Sequence, residues 1–103
     1  MKIKNLIDII KEVIILPIIS QFYGIIIRMF YKDNEKHHKP HIHAIYSDYE
    51  TVFDLEGNIL NGKFPNKQRK MVEAWILIHE TELKLLWKTI NEENIFFKIE
   101  PLN

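Results

Sequence analysis

Four of the five histidines in this 103-residue chain fall in one short segment, His37-His38-Lys39-Pro40-His41-Ile42-His43. Imidazole is the side chain best suited to metal ligation and to proton transfer near neutral pH. If the end of this segment is a β-strand, its alternating side chains place His41 and His43 on one face, about 6.6 Å apart along the strand. Two kinds of chemistry follow from such a pair.

Proton transfer is the first kind. Neighbouring imidazoles disfavour double protonation, so one would serve as a base and the other as an acid. This arrangement suits cleavage of RNA, in which the 2′-hydroxyl loses a proton and the leaving oxygen gains one. The interpretation takes His41 and His43 as catalytic residues, with His37 assisting from the preceding loop.

Metal binding is the second kind. The nitrogens of His41 and His43 could reach one ion at about 2.0–2.1 Å, with His37 or His38 as a third ligand. Such a site would suit zinc, nickel or copper better than magnesium, because neutral imidazole is a borderline ligand. A third interpretation gives the histidines no chemistry and leaves them solvated on a strand face or in a mobile loop.

His79 lies within the apolar stripe of a predicted helix. It would complete a three-histidine site if that helix faced His41 and His43. Ile42 and Ala44 make the opposite strand face more apolar, which favours His79 as a core histidine that is satisfied by one hydrogen bond.

Basic residues cluster where the same helix is predicted to begin, at Lys63, Lys67, Arg69 and Lys70. Acidic residues lie towards its other end, at Glu80, Glu82, Glu92 and Glu93. This distribution opposes the helix macrodipole. It points to binding of phosphate or of an acidic partner through Lys67, Arg69 and Lys70, with Arg28 as a further contact, although a charge run is also typical of a solvated helix face.

Composition excludes several classes of protein. Fourteen basic and fourteen acidic residues cancel, whereas a protein that coats nucleic acid non-specifically carries a basic excess. Cysteine is absent, which excludes disulfides and thiolate zinc sites. The apolar run Val13–Ile19 contains Pro17 and is much shorter than the roughly 20 residues of a spanning helix, so we expect a soluble cytoplasmic protein without a membrane anchor.

The pattern of apolar residues predicts an α+β fold, in which a small antiparallel sheet of three to five strands is packed by one long C-terminal helix. A helical extension over residues 1–16 precedes a single domain over residues 17–103, because Pro17 ends the first helix. The predicted strands are Ile18–Tyr31, His41–Ser47, Glu50–Leu55, Ile59–Leu60 and Phe96–Ile99, with turns at Ser47-Asp48 and Glu56-Gly57-Asn58. The long helix is predicted from Pro65 to about Asn91.

Residues 17–102 resemble a family of small bacterial proteins, the domain-of-unknown-function 4160 family. The matching segments are Ile18–Tyr31, His37–Ala44, Tyr49–Leu60, Lys67–Trp75 with His79 and Trp87, and Phe97–Leu102. The family pattern of a histidine, three residues including proline, then histidine, hydrophobic and histidine is filled by His37, His41 and His43. Members usually begin with Met-Pro, here Leu16-Pro17, which leaves residues 1–16 outside the resemblance and suggests an alternative start at Leu16.

The resemblance implies a partner more firmly than a reaction, because genes of this family commonly neighbour a second small protein in an arrangement like a toxin–antitoxin pair. The leading hypothesis is a toxin-like cytoplasmic protein that acts on RNA through histidine acid/base chemistry and is restrained by a small cognate protein. The alternative is a non-enzymatic regulatory module whose histidine patch binds a partner or a metal. An exposed sheet edge would also allow a homodimer.

Overall fold

The computed structural model describes residues 17–30 and 39–103. Within them, one antiparallel sheet has the strands β1 (Ile18–Phe22), β2 (Ile25–Arg28), β3 (His41–Tyr46), β4 (Tyr49–Asp54) and β5 (Ile59–Gly62), followed by helices α1 (Asn66–Ile78) and α2 (Glu80–Glu92). The strand order in the sheet follows the order along the chain. The predicted antiparallel α+β architecture is therefore confirmed, whereas the predicted helical extension over residues 1–16 lies outside the described residues.

The predicted long strand Ile18–Tyr31 is wrong, because this segment forms the β1–β2 hairpin. Tyr23 and Gly24 turn the chain with φ angles of 48° and 80°. Positive φ at both central residues is the signature of a type I′ turn, whose twist matches that of the flanking strands. A Cβ atom on Gly24 would also lie 3.2 Å from the Tyr46 ring, so glycine is favoured there on two grounds.

The two turns predicted after β3 are confirmed. Tyr46 and Tyr49 are cross-strand partners on either side of Ser47-Asp48, and Ser47 has a φ of 52°. The next turn is closed by a 2.8 Å hydrogen bond from the Asp54 N–H to the Asn58 carbonyl. These tight connections fix the register of β3, β4 and β5.

The predicted single long helix is wrong, because His79 separates α1 from α2 with φ −110° and ψ 24°. The His79 N–H donates to the Trp75 carbonyl at 3.0 Å, and the Leu83 N–H donates to the His79 carbonyl at 2.9 Å. The break places Glu80 and Glu82 in the first turn of α2, where acidic side chains interact favourably with the helix dipole. In a single long helix the same two residues would lie in the C-terminal half, where their charges would be unfavourable.

The apolar sides of α1 and α2 pack against one face of the sheet. Trp75 contacts Phe22 with ring centroids 5.5 Å apart, and its Nε1–H donates to the Glu100 carbonyl at 2.8 Å. The other fully buried core residues include Ile19, Ile25, Ile27, Met29, Ile42, Ala44, Phe53, Val72, Leu83 and Leu86. None of the helices in the described part of the chain is long and apolar enough to cross a membrane.

The predicted edge strand Phe96–Ile99 is wrong, since this segment is not a strand. It does run beside β1, because the Ile99 N–H donates to the Ile19 carbonyl at 2.8 Å. Buried Ile99 joins the core at this point. The contact anchors the C-terminal segment to the sheet without continuing the strand pairing.

Candidate functional site

The third strand, β3, carries the histidine pair at the centre of the sheet. Ile42 and Ala44 point into the core, so His41 and His43 lie on the opposite face of the strand. The two imidazole centroids are 5.2 Å apart with an interplanar angle of 64°. Only 1% of His41 and 7% of His43 is exposed, so the structure brings the two rings together in a largely enclosed position.

The orientation of His41 is set by the residues that precede β3. Its Nδ1 lies 2.8 Å from the Lys39 carbonyl oxygen, and because a carbonyl only accepts hydrogen bonds, Nδ1 carries the hydrogen. In the neutral ring, Nε2 therefore carries the lone pair. The ring also lies 5.1 Å from that of Trp87 on α2, which packs it from a second direction.

His43 lies beside an aromatic ring and a carboxylate. Phe30 stacks on it with ring centroids 4.0 Å apart and planes 8° from parallel. The Nδ1 atom of His43 lies 3.4 Å from Glu50 Oε2, and Arg28 is its cross-strand partner on β2. The site thus combines two imidazoles with a carboxylate and a guanidinium-bearing residue on the same sheet.

Asp54, the cross-strand partner of His41, is wholly buried. One carboxylate oxygen accepts hydrogen bonds from the backbone N–H groups of Glu56 and Asn58, each at 2.9 Å. The other accepts from the Asn58 amide at 3.0 Å and from Lys39 Nζ at 3.0 Å. Burial acts to raise the pKa of Asp54, but the hydrogen bonds from Asn58, Lys39 and Glu56 outweigh it and lower the pKa to about 2. Asp54 is therefore a structural carboxylate that closes the β4–β5 turn, not a base.

A cleft opens beside the segment that leads into β3. It has a volume of about 290 Å³ and is lined by Lys39, Pro40, Leu55, Glu56 and Lys84. Lys84 Nζ pairs with Glu80 Oε2 at 2.8 Å. The cleft is bordered by the same lysine whose carbonyl orients His41.

The basic residues predicted to bind phosphate do not form one group. Arg28 is the cross-strand partner of His43, whereas Lys67, Arg69 and Lys70 lie on α1. Arg69 is engaged within that helix, with Nη2 donating to Asn66 Oδ1 at 2.8 Å.

The chain approaches α1 from the end of β3 that is distant from His41. Gly62 pairs with Thr51, which pairs in turn with Ala44. Ala44 lies about 10 Å along the strand from His41. The basic start of α1 is thus displaced along the sheet from the histidine pair.

His79 does not join His41 and His43 in a three-histidine site, which agrees with the favoured prediction that it is satisfied by one hydrogen bond. Its ring lies 5.6 Å from that of Trp75, and its Nδ1 lies 2.6 Å from Glu82 Oε1. Over residues 17–30 and 39–103, no group of three or more histidines and carboxylates is arranged to hold a metal ion. A site that includes His37 involves a residue outside these ranges.

Sequence reasoning missed the residues that surround the histidines, namely Phe30, Lys39, Glu50 and Trp87. The position of Glu50 beside His43 could have been predicted, because the Ser47-Asp48 turn fixes a register that puts both residues on the same face. Phe30 and Trp87 reach the rings through tertiary packing, which strand alternation does not predict.

The described residues define a small α+β domain whose antiparallel meander encloses a histidine pair on its central strand. Residues 24–88 match the family described as Domain of unknown function (DUF4160), and the chain belongs to that family. The matched span contains β2 to β5, all of α1 and most of α2. No curated protein and no solved structure matches the chain.

Proposed function

We propose that this chain is a toxin-like cytoplasmic protein that acts on RNA through His41 and His43 and is restrained by a small cognate protein. One observation carries the proposal. The two imidazoles lie 5.2 Å apart, and each has an oxygen beside Nδ1, from Lys39 at 2.8 Å and from Glu50 at 3.4 Å. An imidazole oriented by a hydrogen bond at one nitrogen, as His41 is by the Lys39 carbonyl, presents the other nitrogen for proton transfer.

The proposed reaction is an internal transfer at a phosphodiester. Nε2 of His41 accepts the proton of the 2′-hydroxyl, and the 2′-oxygen attacks phosphorus. The bond from phosphorus to the 5′-oxygen breaks, and that oxygen takes a proton from His43. The products are a 2′,3′-cyclic phosphate and a 5′-hydroxyl, so no metal, oxidant or other co-reactant is consumed.

The roles of the two histidines follow from their neighbours. The Lys39 carbonyl holds the hydrogen of His41 on Nδ1, which leaves the basic lone pair on Nε2 and suits the base. The Glu50 carboxylate offsets the positive charge that His43 carries as an acid. Arg28, the cross-strand partner of His43, would offset negative charge that develops on the phosphate oxygens.

The remaining predicted residues have more distant roles in this proposal. Lys67, Arg69 and Lys70 would contact the RNA backbone away from the cleaved bond, in keeping with their position on α1. His37 would assist from the segment before Lys39. The cognate partner is suggested by the family resemblance, in which a second small protein accompanies the first.

Cleavage of a labelled RNA oligonucleotide by the purified chain tests the proposal. We expect products that end in a 2′,3′-cyclic phosphate, and at least about a 100-fold loss of rate in His41→Gln and in His43→Gln. His79→Gln is the matched control, because this histidine contacts Trp75 and Glu82, and it should retain the rate. Circular dichroism would verify folding of each variant. Absence of cleavage by the unaltered chain, or cleavage at the full rate by either site variant, would reject the catalytic roles.

A second candidate function is a non-enzymatic binding module. The observation that favours it is the near-complete burial of both imidazoles, with His43 stacked on Phe30 and His41 packed on Trp87. NMR of the histidine side chains during titration with zinc or nickel distinguishes the two functions. Stoichiometric perturbation of His41 and His43, together with intact RNA, would favour the binding module.

A further inference from the structure

A continuous line of exposed residues runs along the outer side of α1 and α2. Their spacing of three and four residues keeps them on one side of a helix. We call this surface the helix stripe, and its members are Lys67, Lys70, Ala74, Leu77, Ile78, Thr81, Leu85, Lys88 and Glu92, all exposed. The stripe crosses the break at His79 without changing sides.

The middle of the helix stripe is apolar. Leu77 is 75% exposed, Ile78 is 64% exposed and Leu85 is 53% exposed. The uncharged Ala74 and Thr81 lie among them. A clustered apolar surface of this kind, bounded by charged residues, is typical of an interaction site.

The two ends of the helix stripe differ in charge. Lys67 and Lys70 lie near the start of α1, whereas Lys88 and Glu92 lie towards the end of α2. Lys67, Lys70 and Glu92 are unfavourably placed for the dipole of their own helix. If a second helix stripe ran in the opposite direction, its Glu92 would lie beside the basic start of the first. The unfavourably placed charges would then compensate one another.

We propose that two copies of this chain pair through their helix stripes in antiparallel orientation. With the two-fold axis beside Thr81, Leu77 of one copy lies opposite Leu85 of the other, and Lys70 lies opposite Glu92. A parallel arrangement would instead place Lys70 against Lys70. The antiparallel contact is self-complementary and closes at two copies, as expected of a dimer with two-fold symmetry. This proposal does not involve His41 or His43, but in the dimer Lys70 contacts Glu92 of the other copy in place of RNA.

Sedimentation equilibrium of the full chain tests the dimer. We expect a monomer–dimer equilibrium that responds to protein concentration and weakens as salt screens the terminal charges. Leu85→Glu should weaken association by at least about tenfold. Leu60→Glu is the matched control, since Leu60 is an exposed leucine on edge strand β5, and it should leave association unchanged.

A charge exchange tests the orientation. Lys70→Glu and Glu92→Lys should each weaken the dimer, and the chain with both substitutions should recover the association of the unaltered protein. A parallel dimer would not recover in this way. A chain that stays monomeric at every concentration would overturn the proposal. This holds even if the helix stripe binds a different protein. Association lost in Leu60→Glu but kept in Leu85→Glu would overturn it in favour of a sheet-edge dimer.

Discussion

Two regions of this molecule reverse the usual distribution of side chains. The β3–β4 pair buries His41, His43 and Asp54, whereas the helix stripe exposes Leu77 and Leu85. Buried polar groups and exposed large apolar groups are the informative departures from ordinary burial. The two regions differ in what surrounds these residues. Hydrogen bonds and ring contacts within the chain surround the buried polar residues, whereas the apolar residues of the helix stripe face outward. The first region therefore has the character of an internal site, and the second that of a contact surface.

The largest change in stability that tests this comparison is expected from two leucines on α2. Leu83 is wholly buried, whereas Leu85 is 53% exposed. We expect Leu83→Ala to lower the free energy of unfolding by about 2–5 kcal/mol because it leaves a cavity in the core. Leu85→Ala should change it by less than about 0.5 kcal/mol. Urea denaturation at protein concentrations that favour the monomer would measure both values, and equal losses would show that Leu85 belongs to the core.

A smaller loss of stability is expected when acid protonates Asp54. Its folded pKa of about 2 lies below the ordinary value of 3.8, so the stabilisation is complete above about pH 4 and is lost as the pH falls through about 2. The loss should amount to about 2 kcal/mol in the free energy of unfolding. Urea denaturation at a series of pH values would measure it.

Asp54→Asn is the control for this acid effect. The asparagine cannot ionise, so the variant should be less stable near neutral pH and should lose little further stability between about pH 4 and about pH 2. If the variant shows the same acid dependence as the unaltered chain, a different carboxylate is responsible.

The smallest effect concerns the break between the helices. Glu82→Gln removes a charge from the first turn of α2 and from its 2.6 Å contact with His79. We expect a loss of about 0.3–1 kcal/mol in the free energy of unfolding. Glu92→Gln, at the other end of the same helix, should be neutral or slightly stabilising in the monomer. Equal losses in both variants would argue against the dipole as the cause.

The elements that sequence patterns predicted were those with local signals. Turn residues predicted Ser47-Asp48 and Glu56-Gly57-Asn58, and strand alternation put His41 and His43 on one face. The Tyr23-Gly24 turn was missed because tyrosine rarely adopts a positive φ and both flanking strands are apolar. The result was one long predicted strand in place of a hairpin.

The break at His79 was missed for a different physical reason. Apolar residues at Trp75, Ile76, Leu83 and Leu86 keep a single helical phase across it, so periodicity alone describes one helix. The surroundings of the histidines were largely missed as well, because Phe30 and Trp87 approach them through tertiary packing. Local chemistry was visible in the sequence, whereas the contacts that enclose it depend on the assembled fold.

The strand order of the sheet also bears on how the chain folds. Neighbouring strands in the sheet are neighbours along the chain, and contacts between chain neighbours close small loops at low entropic cost, so the sheet should assemble quickly. The bond from the Ile99 N–H to the Ile19 carbonyl joins opposite ends of the described chain and should form late. In native-state hydrogen exchange, we therefore expect the Ile99 amide to exchange sooner than the amides of β3, which has a paired strand on each side.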